Sequence, residues 1–264
     1  MTASLLPSAF DLRGQVALVT GAGSETGIGF ASARLLGQLG ASVCVTATSD
    51  RIDRRAAELT GSGIETLAVT ADLTESGQAG QLVSACLQRF RRLDIVVNNA
   101  GMTSVTEPAQ AAELADLTDQ MWRDGLARNL DTAFFVTRAA LRPMLDRGYG
   151  RIVNVASITG PVMAMRGEPV YAAAKAGMVG LTRGLAVEVA AAGVTVNAVC
   201  PGWIETGSQT EHERRQGVRT PRGRSATPDE VASAVAWLAT PGAAYVTGQA
   251  VVVDGGNSIA EERA

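Results

Sequence analysis

Short, continuously apolar runs recur along this chain, each followed by a longer helical pattern. No other feature restricts the fold as strongly. The runs fall at Val16–Thr20, Ser42–Ala47, Ile64–Val69, Asp94–Asn98, Arg151–Ala156, Thr195–Cys200 and Gln249–Val253. Runs such as VALVT and DIVV lack polar alternation, as expected of strands covered on both faces. Between them, residues 28–39 place Ile28, Ala31, Leu35 and Leu39 on one helical face, and residues 76–90 do the same with Leu82, Ala85 and Phe90. Seven strands joined by helices predict a parallel sheet of right-handed βαβ units, hence one doubly wound α/β domain over residues 1–264.

The 264 residues, 46% of them hydrophobic, suit one large core better than two small ones. A net charge of −3 gives no concentrated basic face for nucleic acid. No apolar run approaches the ~20 residues that span a bilayer. The opening MTASLLPSAFDLRG lacks the charged start and long apolar stretch of a secretory signal, so a cytoplasmic protein is expected. Cys44, Cys86 and Cys200 match no metal or redox spacing and read as free thiols. With His212 the only histidine, a His-rich metal site is ruled out and a His-based triad nearly so. Residues 203–227 are polar, with Gly and Pro, and read as a flexible flap over a substrate site.

The first run enters Thr20-Gly21-Ala22-Gly23-Ser24-Glu25-Thr26-Gly27-Ile28-Gly29 and then a helix. A helix start offers unpaired N–H groups and partial positive charge, and glycines admit phosphates to the backbone. Strand, turn and helix together therefore predict a Rossmann-type pyrophosphate site at Gly21, Ser24, Gly27, Ile28 and Gly29. An acidic residue ending the second strand would bond the adenosine ribose of NAD and repel a 2′-phosphate. That position is Ala47, followed by Thr48, Ser49, Asp50 and Arg51. Two hydroxyls and a guanidinium favour NADP over NAD; Asp50 and the glycine-loop Glu25 weigh on the other side.

Tyr171-Ala172-Ala173-Ala174-Lys175 opens an Ala/Gly-rich helix, and a spacing of four sets phenol and ammonium on one face. A tyrosine titrates near about 10, so acid/base work at neutral pH needs a nearby cation such as Lys175. Ser157 ends the fifth run, where strand C-termini form the ligand crevice, and its hydroxyl could hold a substrate oxygen. With these residues in place, the chain from Gly14 to Gly256 resembles the short-chain dehydrogenase/reductase family. The resemblance takes in the glycine loop, Asp72, Asn98-Asn99-Ala100-Gly101, Asn129, Ser157, Tyr171, Lys175, Pro201-Gly202 and Val246-Thr247-Gly248.

The resemblance implies an oxidoreductase that interconverts a ketone and a secondary alcohol by hydride transfer, with Tyr171 as general acid/base. Ser157 would orient the substrate oxygen, Lys175 would bind the nicotinamide ribose and lower the tyrosine pKa, and Asn129 would hold a water in a proton relay. Asp72 and the backbone of Leu73 would meet adenine. Asn99, Ala100, Gly101, Pro201 and Gly202 would line the cofactor, while Ile204 and Thr206 would fix its carboxamide.

The sequence departs from the family pattern twice. Five residues, Ala22 to Thr26, separate the first glycine from Gly-Ile-Gly where the family has three. Enoyl reductases of the superfamily also lengthen this loop, but their tyrosine and lysine lie further apart. Ser157 and Tyr171 are one residue further apart than usual, which places an insertion within Ile158–Val170. Met102, Ile158, Val162, Met163, Met165 and Trp203, with the polar Thr159 and Glu168, suggest a pocket wall for an apolar ketone. The overall pattern looks like the 3-oxoacyl-carrier-protein reductases, yet Gly148 and Ala192 stand where those enzymes carry carrier-docking cations. Gly177, Gly180 and Gly184, with Phe134, Phe135 and Val136 on a neighbouring helix, predict the homotetramer common in the family. A non-catalytic dinucleotide sensor is disfavoured because Ser157, Tyr171, Lys175 and Asn129 are all present.

Overall fold

The computed structural model describes residues 6–101 and 112–261; Met102 lies outside them. Among the described residues, seven strands form one parallel sheet. They are β1 (Val16–Val19), β2 (Ser42–Ala47), β3 (Thr66–Thr70), β4 (Ile95–Asn98), β5 (Gly150–Val155), β6 (Val194–Pro201) and β7 (Ala250–Val253). Their order is β3-β2-β1-β4-β5-β6-β7. The chain leaves the β3 edge and returns at β4 beside β1, so strand order reverses between β1 and β4. A crevice opens at such a reversal, outside the strand C-termini.

Successive residues of each strand feed opposite cores. Ala17 and Val19 of β1 join a cluster with α1 (Ile28–Gln38), α2 (Arg51–Gly61) and α8 (Pro228–Ala239). Val16 and Leu18 join another with α3 (Ser76–Phe90), α5 (Thr132–Arg147) and α6 (Pro169–Val189). The unbroken apolar runs exist because both faces are covered. Cys44, Cys86 and Cys200 are buried free thiols. No described helix is long and apolar enough to cross a membrane.

Within the second layer a buried polar ladder crosses from helix to helix. Asn98 Nδ2 donates to Thr137 Oγ1 of α5 and to Asn154 Oδ1 of β5, both at 2.8 Å. Asn154 Nδ2 donates to Thr182 Oγ1 of α6 at 2.8 Å, and Thr182 donates onward to the Met178 carbonyl. All four side chains are buried.

Three segments differ from the sequence expectation. The third strand begins at Thr66, not Ile64, because the Ile64 side chain is spent on α1: a Cβ at Gly37 would lie 2.5 Å from its Cδ1. The helix expected around residues 124–145 is α4 (Asp119–Leu126), a π-helical turn (Ala127–Asp131) and α5. The segment 203–227 is not simply loop, since it contains α7 (Glu211–Val218). Thr210 Oγ1 and the Glu213 carboxylate form a reciprocal capping box at the start of α7.

Candidate active site

Thr20 fastens the two strands that flank the reversal. Its Oγ1 donates to the Val97 carbonyl at 3.3 Å and accepts from Asn99 N and Ala100 N, both at 2.9 Å. Asn99 Nδ2 then donates to the carbonyls of Thr20 and Gly21, each at 3.1 Å, so side chains beyond β4 set the shape of the glycine loop. Gly21 adopts φ +67°, and a Cβ on Gly29 would lie 2.6 Å from the Gly21 carbonyl oxygen. Gly27 precedes α1 with no side-chain cap, which leaves the first N–H groups of the helix available.

Arg51 opens α2 and lies across this loop. A Cβ on Gly23 would sit 2.6 Å from Arg51 Nε and 2.8 Å from Ala47 Cβ. That Nε is buried with no hydrogen-bond partner, a deficit of about 1–3 kcal/mol that an incoming anion would relieve. The sequence reading does not single out Arg55, although its i, i+4 spacing from Arg51 is visible there. Arg55 pairs with Glu25 at 3.4 Å and with Glu58, and it stacks on Phe30. The loop's carboxylate is thus answered by a cation, while Asp50 is exposed. Glycines that only a bare backbone can fill, an uncapped helix start and an orphaned guanidinium fit a phosphorylated dinucleotide.

Asp72 is held in a turn: its Oδ1 accepts from Thr74 N at 3.0 Å and Thr74 Oγ1 at 2.7 Å, leaving Oδ2 free. Leu73 beside it is buried. Thr48 is exposed and Ser49 half-buried at the end of β2, beside Arg51. Pro201 ends β6, and Gly202 N donates to the Val253 carbonyl. Ile204 bridges Ala226, and Thr206 Oγ1 lies 3.1 Å from Ser208 Oγ. Across the crevice a Cβ on Gly207 would fall 2.7 Å from Thr26 Oγ1, so the segment after β6 rests on the lengthened part of the glycine loop.

The structure brings Ser157, Tyr171, Lys175 and Asn129 together beyond β5. Ser157 Oγ accepts from Thr159 N at 3.0 Å and lies close enough to the Tyr171 phenol to lower its pKa. The extra residue is absorbed between them. Gly160 takes φ +102° and donates its N–H to Met163 O at 2.7 Å, folding the segment back onto α6. In that segment Ile158 and Thr159 are buried, and Ile158 belongs to a small core with Ala133, Met178 and Cys200. Val162 is exposed and Met163 packs against that core, so the expected apolar wall is not one continuous surface.

Lys175 Nζ donates to the Val155 carbonyl at 3.0 Å and lies 5.6 Å from the centre of the Tyr171 ring. Asn129 sits in the π turn, a backbone device frequent at functional sites. Its Nδ2 donates to the Gly125 carbonyl, and its Oδ1 and Lys175 Nζ both face Gly101, 2.9 and 3.6 Å from where a Cβ would be. Burial pushes the Tyr171 hydroxyl up to about 12, and the neighbouring Ser157 hydroxyl opposes the rise. The same burial pushes the Lys175 ammonium down to about 8.

Residues 21–258 match the family described as Enoyl-(Acyl carrier protein) reductase. The chain is 42% identical over 250 residues to the 3-oxoacyl-[acyl-carrier-protein] reductase FabG of Vibrio cholerae, covering 93% of this chain and 98% of that protein. The actinorhodin polyketide ketoreductase, solved as a variant with NADPH, superposes with a TM-score of 0.85 at 40% identity, over 93% and 98% of the two chains. A putative gluconate dehydrogenase from Agrobacterium tumefaciens gives 0.88 at 31% identity, over 96% and 100%. The chain belongs to the short-chain dehydrogenase/reductase family.

The Lys175 ammonium sets a pH limit. Below about 8 the group is charged, and above it the charge is lost. Ketone-reduction kcat/KM should be flat at neutral pH and fall as pH rises through that value, and Lys175→Met should abolish the step along with most of the activity. A stopped-flow or absorbance pH profile of nicotinamide oxidation checks this.

Proposed function

We propose that this protein is an NADP(H)-dependent ketoreductase that interconverts a ketone and a secondary alcohol, with Tyr171 as general acid/base. The observation that carries the reading is the convergence of Ser157, Tyr171, Lys175 and Asn129 beyond β5, with Lys175 Nζ 5.6 Å from the Tyr171 ring and beside Asn129 at Gly101. The bound nicotinamide supplies or removes hydride at the carbonyl carbon. Ser157 orients the substrate oxygen by donating to it. Tyr171 holds its proton at neutral pH and releases it to that oxygen in reduction. Lys175 stabilises the phenolate left behind, and Asn129, beside it at Gly101, lies on the path by which the proton is restored. In oxidation the proton moves the other way.

The names of the relatives support ketone chemistry over the enoyl reduction in the matched family's description, and so does the close spacing of tyrosine and lysine. A sensor would need none of the four assembled groups. NADP preference is supported by Ala47, by the unpaired Arg51 Nε over Gly23, by Arg55 beside it, and by the NADPH in the solved ketoreductase. In this reading Asp72 and Leu73 meet adenine, and Ile204 and Thr206 the carboxamide. The segment at residues 203–227 we read as a flap that moves over substrate, with its arginines solvated. Gly148 and Ala192 leave Arg147 alone at the sites of carrier docking, which favours a free small-molecule substrate.

A homotetramer of D₂ symmetry fits the surface. On α6, Gly180 and Gly184 face open space and Val187 is 86% exposed. Phe134 of α5 is partly exposed, and the edge strand β7 carries exposed Val252, with Ile259 beyond it.

Three experiments test these readings. Tyr171→Phe should leave NADPH binding intact, measured by fluorescence titration, and lower ketone reduction by about 10²–10⁴-fold; a variant above a tenth of wild-type activity overturns the assignment. The wild type should use NADPH more efficiently than NADH, and Ala47→Asp should reverse this through a like-charge penalty of about 1–3 kcal/mol. Equal efficiency in the wild type removes the NADP reading. Light scattering at micromolar concentration should give the mass of four chains, and Gly180→Arg should split the assembly.

A further inference from the structure

A carboxylate close to the Tyr171 phenol has no answering charge among the described residues. Glu168 immediately precedes α6, three positions before Tyr171, a spacing that sets the two side chains on one side of the helix. It is half-buried. Its backbone carbonyl accepts from Ala172 N at 2.9 Å, but its side chain makes no cap, hydrogen bond or ion pair with any described residue. Four cations of the neighbouring segments are engaged elsewhere. Arg166 pairs with Glu113 at 3.0 Å, Arg214 and Arg215 both lean on Glu211, and Arg224 is bidentate on Glu230. A flap group within electrostatic reach of it is another carboxylate, Glu213, already held by Thr210 N at 2.6 Å. Both carboxylates lie within electrostatic reach of the Tyr171 hydroxyl, and burial beside Glu213 pushes the Glu168 carboxyl up.

A partly dry carboxylate is costly to leave without a donor. No described residue supplies one here, and its position three residues before Tyr171, within electrostatic reach of the phenol, sets it toward the place where a ketone would meet Tyr171 and Ser157. We infer that Glu168 is a specificity-determining residue that accepts a hydrogen bond from a hydroxyl carried a few bonds from the reacting carbonyl. The preferred substrates are then hydroxylated ketones, and ketones with an anionic group at that distance are turned away. This inference rests on the ketoreductase reading above. It also replaces the expectation of an apolar substrate on this side of the crevice.

Three methyl ketones of equal carbon count test it: 2-pentanone, 5-hydroxy-2-pentanone and 4-oxopentanoate, with ethyl acetoacetate as a general ketone probe. In the wild type, kcat/KM should fall by about tenfold from the hydroxyketone to 2-pentanone, the effect of one lost charged hydrogen bond at a half-exposed site, and further for the carboxylate. Glu168→Gln keeps an acceptor without charge. It should retain part of the hydroxyl preference while 4-oxopentanoate gains at least about fivefold from relief of like-charge contact. Glu168→Leu should bring 2-pentanone level with the hydroxyketone. Equal wild-type turnover of all three, or a Leu variant that keeps the wild-type order, overturns the inference and leaves the ketoreductase reading standing. Turnover of none of the four probes overturns that reading and the inference with it.

Discussion

The crevice of this molecule hangs on one hydroxyl. Thr20 Oγ1 gives its proton to the Val97 carbonyl and takes two backbone N–H groups from the chain leaving β4. Beyond the last backbone bond between β1 and β4, from Thr20 N to the Val97 carbonyl at 3.0 Å, the chains leaving these strands need a further hold. A buried side chain that both donates and accepts supplies that hold at the point where the sheet opens. Everything beyond follows from the spacing it fixes. Asn99 can reach the glycine loop, Gly29 can press against Gly21, and Gly101 can present its bare α-carbon to Asn129 and Lys175.

The proton-handling groups are governed by dryness. Taking a phenol and an ammonium out of water moves their titrations in opposite directions, because each resists its charged form. Here the phenol is driven up and the ammonium down, so both favour the neutral form more than they would in water. The Val155 carbonyl partly offsets the cost of the buried ammonium by accepting from it at 3.0 Å. The tyrosine is thus a reluctant acid until something binds beside it that favours the phenolate. The phenol itself therefore adds no standing negative charge to the crevice at neutral pH.

Much of this was legible in the sequence, and the exceptions have local causes. The seven strands and their parallel pairing were visible because double coverage leaves unbroken apolar runs. Ser157, Tyr171 and Lys175 were visible because strand ends and helical spacing imply where side chains meet, whereas Asn129 came from the family resemblance alone. Strand β3 was displaced because an isoleucine that reads as strand is consumed by a glycine on a helix distant in sequence. The π turn left no periodicity signal, since one extra residue in a helix shifts a face without breaking the pattern. Helix α7 hid inside a polar stretch because its stability comes from a capping box rather than an apolar face. Arg55 escaped notice because its partner, Glu25, lies in a loop whose path cannot be inferred from spacing.

The ladder formed by Asn98, Asn154, Thr137 and Thr182 bears on how such a chain can change over generations. Each member answers a neighbour's unmet hydrogen-bonding capacity in a dry layer, so replacing any one strands another. Substitutions there are bound to be strongly epistatic, since an apolar residue acceptable in the company of three others is harmful by itself. Descendants of this sequence should therefore keep all four or exchange them as a block. The interior beneath the crevice drifts more slowly than its surface loops for reasons that owe nothing to the reaction.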